Sequence, residues 1–192
     1  MKIKLLFILV TTLFIFDVSA QNYKIDASHS TVQIQVERFG VVDVSGRFKD
    51  VQGSIYYSSE DISKTKGEAI IKVSSYDANN EGGEKAVKGV FLQEDTYPDI
   101  TFSSSKAIIV DSKSYLQGQL TIHGVTKEIK LPFSIKGPLL DLPTRKQSIA
   151  FNASITINRQ DYGIKFDRKL PNGVSLVGND VKITLLILAI EE

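Results

Sequence analysis

The chain has 192 residues, with 23 basic and 22 acidic side chains, two histidines, no cysteine and no tryptophan. A net charge this close to zero leaves no electrostatic footprint for nucleic acid. The lack of cysteine excludes disulfides, a thiol nucleophile and cysteine-based metal sites.

The N-terminus comes first in chain order. Lys2 and Lys4 precede an apolar run from Leu5 to Phe16, and the small residues of Val18-Ser19-Ala20 follow. This reads as a secretory signal peptide over residues 1–20, removed after Ala20. The run is shorter than the roughly 20 apolar residues a membrane span needs. Residues 21–192 then form a single domain of ordinary size, with acidic and basic residues in balance once Lys2, Lys4 and Asp17 are gone. The expected location is periplasmic or secreted, without stable membrane insertion, and no cysteine is present to carry a lipid tether.

Beyond residue 22 the signal is strand after strand. Residues 31–38 alternate cleanly, with Val32, Ile34 and Val36 on one face and Gln33, Gln35 and Glu37 on the other. Gly40 punctuates, and residues 41–48 read as the partner strand. Residues 53–57 and 68–76 read as further strands around a polar connection at 58–66. Asn79-Asn80-Glu81-Gly82-Gly83 is a loop by composition. Residues 84–93 place Val87, Val90 and Phe91 at helical spacing, so this stretch reads as one short helix or an ordered loop. Strands resume at 100–110 and 115–122. Residues 120–133 carry two alternating runs with Gly124 at the turn between them. Pro138 and Pro143 bracket Leu139-Leu140-Asp141-Leu142, which reads as an ordered loop. Residues 148–159 and 181–190 close the pattern. Seven or more strands with almost no helix predict an all-β sandwich or barrel, and closing the barrel removes exposed edges.

Several segments in this order resemble the YceI-like family of secreted lipid- and polyisoprenoid-binding proteins. They are Tyr23-Lys24-Ile25-Asp26-Ala27-Ser28-His29-Ser30, Gly40 through Gly46-Arg47-Phe48, Tyr97-Pro98-Asp99-Ile100-Thr101-Phe102, residues 120–133, residues 151–164 with Arg159-Gln160-Asp161-Tyr162-Gly163, and residues 178–185. The resemblance implies an antiparallel, lipocalin-like, eight-stranded barrel around an elongated apolar cavity, with the short helix or ordered loop near its mouth. It implies an isoprenoid or other long apolar ligand, held for transport or storage. One stretch departs from the family pattern. Many relatives carry an Arg-Asp pair and a His-Leu pair shortly before the Tyr-Pro motif, where this chain has Glu84-Lys85-Ala86-Val87-Lys88-Gly89-Val90-Phe91-Leu92. That difference bears on head-group preference.

The candidate ligand-binding wall is Phe39, Phe91, Leu92, Tyr97, Phe102, Phe133, Phe151, Ile155 and Ile157. Each of these residue types is also ordinary core, so the wall is a collective expectation. Catalysis has little to draw on: there is no Gly-x-Ser-x-Gly elbow and no phosphate-cradling loop. No catalytic residue, metal ligand or cofactor is assigned, since two histidines fall short of the three or four ligands of a zinc site. An alternative reading is a periplasmic enzyme or stress-response factor acting on a lipid-like substrate, centred on His29 with Asp26 or on His123. A packed structural domain is a third. Arg159 reads either as a charge near the ligand's polar end or as half of an Arg–carboxylate pair fixing the strand exit beside Gly163. An outer-membrane barrel conflicts with Gln33, Gln35, Glu37, Lys130 and Lys182 facing outward. The expected partner is an apolar small molecule, and a homodimer is compatible with the reading.

Overall fold

The computed structural model describes residues 20–192. The expected signal peptide therefore falls almost wholly outside the described residues. Eleven strands follow one another: β1 Gln21–Ile25, β2 Thr31–Arg38, β3 Val42–Phe48, β4 Val51–Tyr57, β5 Lys66–Lys72, β6 Tyr76–Asp77, β7 Asp99–Val110, β8 Lys113–Ile122, β9 Val125–Asp141, β10 Lys146–Asn158 and β11 Val177–Glu191. All pairings are antiparallel, and β1 bonds to both β4 and β11, which closes the ring β1-β4-β5-β7-β8-β9-β10-β11. The pairs β1/β2, β3/β4 and β5/β6 are each one long strand broken by a bend, because β2 pairs β11 and β3, and β3 pairs β6, along the same seams. The barrel thus has eight staves, as expected for a β-cylinder that can enclose one small ligand.

Period-two patterning fixes which face is inside. On β10, Ile149, Phe151 and Ala153 are buried while Ser154 is exposed, and opposite them on β11 stand Ala189, Ile187 and Leu185. A slip of one residue would turn this whole row to water. The tight turns carry the chemistry they need. His123 and Gly124 join β8 to β9 with φ of 51° and 73°, and Asp111 and Ser112 join β7 to β8 with φ of 47° and 60°, the double positive φ of a two-residue hairpin.

The stretch around Pro138 corrects the sequence expectation. Residues 139–141 belong to β9 and pair with Ser148, Gln147 and Lys146, and the register slips between Ser148 and Ala150 opposite Pro138. β8 pairs with β9 only as far as Phe133, so beyond that point β9 is an edge. Proline is tolerated there because an edge at a bulge needs no N–H from it. This β9–β10 arm overruns the barrel and exposes Leu139, Leu140 and Leu142.

One end of the barrel, here the upper end, gathers the turn at residues 39–41, the His123-Gly124 turn, the connection 159–176 and a helical segment. The helix α1 spans Glu81–Lys85, capped by the Asn80 side chain accepting from Gly83 N–H at 3.1 Å, and it widens into π-type turns over Ala86–Phe91. Among the described residues no helix is long and apolar enough to cross a membrane.

Candidate ligand cavity

The inward side chains of the upper two-thirds of the barrel do not meet. They leave a cavity of about 190 Å³ whose exposed lining is apolar. Val32, Ile34 and Val36 of β2 face it, as do Ile183, Leu185 and Ile187 of β11 and Leu116, Leu120 and Ile122 of β8. The inward row of β5 explains the space: it places Gly67 and Ala69 where other strands carry Ile or Leu. From Val181 to Ile187 the lining follows six residue steps of β11, about 20 Å of strand and about 15 Å along the axis of a barrel tilted by about 40°.

Six of the nine candidate wall residues border this hollow: Phe91, Leu92, Phe102, Phe151, Ile155 and Ile157. Three do not. Phe39 sits in the turn between β2 and β3 with φ 58°, and the Arg38 guanidinium lies over its ring at 4.0 Å. Tyr97 covers the β8–β9 turn, its ring 4.5 Å from that of His123, and Gly124 lies beneath it. Phe133 is buried on the inward face of β9 but does not border the hollow; its ring stacks on that of Phe151 at 5.3 Å with the planes 16° apart. Pattern alone could not separate these cases, since a buried ring that borders the hollow looks the same in sequence as one that does not. The wall residues that the sequence does not single out are spread over most strands, among them Val32, Ile34 and Val36 of β2, whose clean alternation was the available signal, and Val181, Ile183 and Leu185 of β11. The glycine and alanine of β5 shape the space by what they lack.

The helical segment and the connection 159–176 form the roof. Val87, Phe91 and Leu92 reach down into the cavity, and the Phe91 ring meets Phe166 at 5.0 Å. Arg159 is 4 % exposed and takes no carboxylate partner. Its Nε donates to Gly178 O at 3.0 Å, Nη1 to Ile164 O at 2.7 Å, and Nη2 to Phe166 O at 3.0 Å and Val177 O at 3.5 Å. The expected Arg–carboxylate pair is therefore replaced by a clamp on backbone carbonyls, because the connection folds back over its own start. Asp161 instead faces Lys127 at 3.8 Å. Gly163, at φ 73°, supplies the left-handed residue that ends the short 3-10 turn Arg159–Tyr162. Burial depresses the Arg159 pKa and raises that of the Tyr162 phenol.

The two histidines stay out of the cavity. His123 Nδ1 donates to Tyr162 O at 3.3 Å, and its Nε2 is buried without a partner. His29 is largely exposed, with Nδ1 2.6 Å from Asp26 Oδ2 and 3.1 Å from Ser28 Oγ. These contacts hold a 3-10 turn on the barrel wall, and hydrogen bonds from Ser28 and His29 keep the Asp26 carboxyl below its usual pKa. Among the described residues no group of three or more His, Asp or Glu is placed to hold a metal ion.

A closed antiparallel barrel of eight staves around an apolar hollow defines a small β-barrel of the ligand-enclosing kind. The chain belongs to the YceI-like domain family, whose profile matches residues 23–189. It is 31 % identical over 162 residues to the UPF0312 protein SAS2572 of Staphylococcus aureus, covering 84 % of this chain and 92 % of that one. Its fold is similar to that of Burkholderia cenocepacia BcnA, with a TM-score of 0.74 at 21 % identity over 86 % of this chain and 99 % of the other. It is also similar to a polyisoprenoid-binding domain from Saccharophagus degradans implicated in plant cell wall breakdown, with a TM-score of 0.68 at 15 % identity over 88 % and 98 % of the two chains.

Proposed function

We propose that this protein is an extracytoplasmic carrier or store for a polyisoprenoid or similar long apolar molecule, which it holds inside the barrel. The observation that carries the reading is the apolar hollow roofed by Val87, Phe91 and Leu92. The polyisoprenoid-binding neighbour supports the ligand class, and the N-terminal sequence pattern supports the location. Mechanistically the site works by burial. Each methylene-sized group removed from water contributes about 0.8 kcal/mol, and association costs about 4–15 kcal/mol. A hollow about 15 Å deep takes about 12 such groups, a contribution of about 10 kcal/mol that falls within the range of that cost, so apolar burial supplies the binding without any charged contact. Access is from the upper end, beside the Ala86–Phe91 segment, where the lining is least buried.

Organic extracts of the purified native protein, analysed by mass spectrometry, test this directly: a prenyl or similar long-chain lipid is expected in stoichiometric amount. Ile155→Glu places a charge on the wall and is expected to abolish the co-purified lipid while the β-sheet circular dichroism is retained. If lipid still travels with that folded variant, the barrel interior is not the site. The molar mass of the same preparation in solution tests whether the protein pairs.

A second reading, an enzyme or stress factor acting on a lipid-like substrate, has the mutual contact of Asp26, Ser28 and His29 in its favour. Replacing both His29 and His123 by Gln separates the two. Lipid retention survives that change in a carrier, whereas turnover of a substrate would not.

A further inference from the structure

Burial gives the cavity a direction. At the roof the lining is mixed: Val36, Val87 and Val177 are only half-buried, while Leu92, Ile122 and Ile164 are buried. Those at the bottom, Phe151, Leu116 and Ile187, are between 2 % and 5 % exposed. Below them the inward side chains no longer line the hollow. Tyr23, Thr65, Ile149 and Ala189 close that level at 1 % exposure or less. Phe151 rests on the Phe133 ring as the floor. Among the described residues no polar atom is exposed to the space: the Arg159 nitrogens are turned onto backbone carbonyls, and Ser54 and Glu68, neighbours of Ile55 and Gly67, bond to each other at 3.4 Å.

We infer that the cavity is a blind tunnel that measures an apolar chain from its tip and leaves the polar end unread at the mouth, with the Phe151–Phe133 stack setting its depth and Gly67 the room above the floor. The inference rests on the proposed carrier function and adds to it a rule for selectivity. Each further methylene that enters the hollow strengthens binding about fourfold. Once the tip touches Phe151, additional carbons stay in water at the mouth and contribute nothing. Since no group fixes the head, a longer chain is not expelled. Affinity therefore rises with length and then levels off, and the length at which it levels off belongs to the protein.

The test is the affinity of the full mature chain for geraniol, farnesol, geranylgeraniol and longer prenyl alcohols, read by displacement of an anilinonaphthalene dye. A rise followed by a plateau is expected. Phe151→Ala should move the plateau to a longer alcohol. Where that variant loses its β-sheet circular dichroism, Phe151→Leu takes its place and moves the plateau in the same direction. Gly67→Val should move it to a shorter one, and its added Cβ would sit at an ordinary 3.6 Å from Leu116 Cδ1, so the backbone accommodates it. Farnesyl phosphate should bind as farnesol does. A plateau unmoved by these variants, affinity that climbs through the longest alcohol, or a phosphate effect of about tenfold, one ordinary polar interaction, would each overturn the blind tunnel while leaving prenyl binding in place. Failure of every alcohol to displace the dye would overturn the carrier reading as well.

Discussion

Arg159 carries more of the upper end than any other single side chain. A guanidinium offers five donors in a rigid fork, and here that fork gathers the carbonyls of Ile164 and Phe166 from the connection and of Val177 and Gly178 from the start of β11. Hydrogen bonds to a charged group contribute about 1.5–3 kcal/mol. Arg159→Ala is expected to cost about 3 kcal/mol by urea unfolding, and Arg159→Lys to recover little, since one ammonium cannot reach four acceptors. A second residue-scale constraint lies at Gly124, where φ is 73° and a Cβ would come within 2.5 Å of Tyr97 Cε1. Gly124→Ala is expected to cost about 1–3 kcal/mol, visible as a lower melting temperature. The role of Gly124 was legible from its place between two alternating runs. That of Arg159 was only half legible. The sequence shows a charged residue beside a glycine turn, but which atoms it reaches depends on how residues 164–178 fold back.

At the scale of elements, period-two alternation located almost every strand, because one face of each is buried and the other wet. β2 was bounded as it stands, Thr31–Arg38. The failures have physical causes. The predicted strand over 68–76 breaks at Val73 into a 3-10 turn before β6, where Val73 N–H bonds to Pro98 O at 2.9 Å, a contact between segments distant in the chain. β9 runs through Pro138 because its far half is an edge, and edge status follows from the length of a neighbouring strand. The helical segment, readable as helix or loop, is helical and caps the cavity. Its helix-disfavouring Gly82, Gly83 and Gly89 leave it held by Asn80 and by the packing of Val87 and Phe91 more than by propensity. The cavity itself was legible only as a set of apolar positions, since six of nine reach it and which six depends on how the rings pack.

The whole molecule holds together by one apolar interior and no covalent staple, so reducing agents are without effect on its stability. Acid is another matter. Asp26, Asp61, Asp77 and Asp141 all have carboxyl pKa values held below the usual range, chiefly by hydrogen bonds from Ser28, Ser63, the Asn79 backbone and Thr144 respectively. A pKa lower in the folded state than in the unfolded chain stabilises the fold at pH values above the ordinary aspartate range, and that contribution is lost as pH falls through the folded values. The melting temperature is therefore expected to be flat near neutrality and to fall below about pH 4, and Asp77→Asn to shallow that fall. The overhanging β9–β10 arm has a consequence for the protein in crowded solution. Its leucines and free backbone edge are the ingredients of chain-to-chain stacking into fibrils, and Lys136 and Pro138 on the β9 side of that ledge oppose it, one by charge and one by its missing N–H. Substituting both with threonine is expected to turn a clear solution turbid on warming, with thioflavin-positive deposits, well before the barrel itself melts.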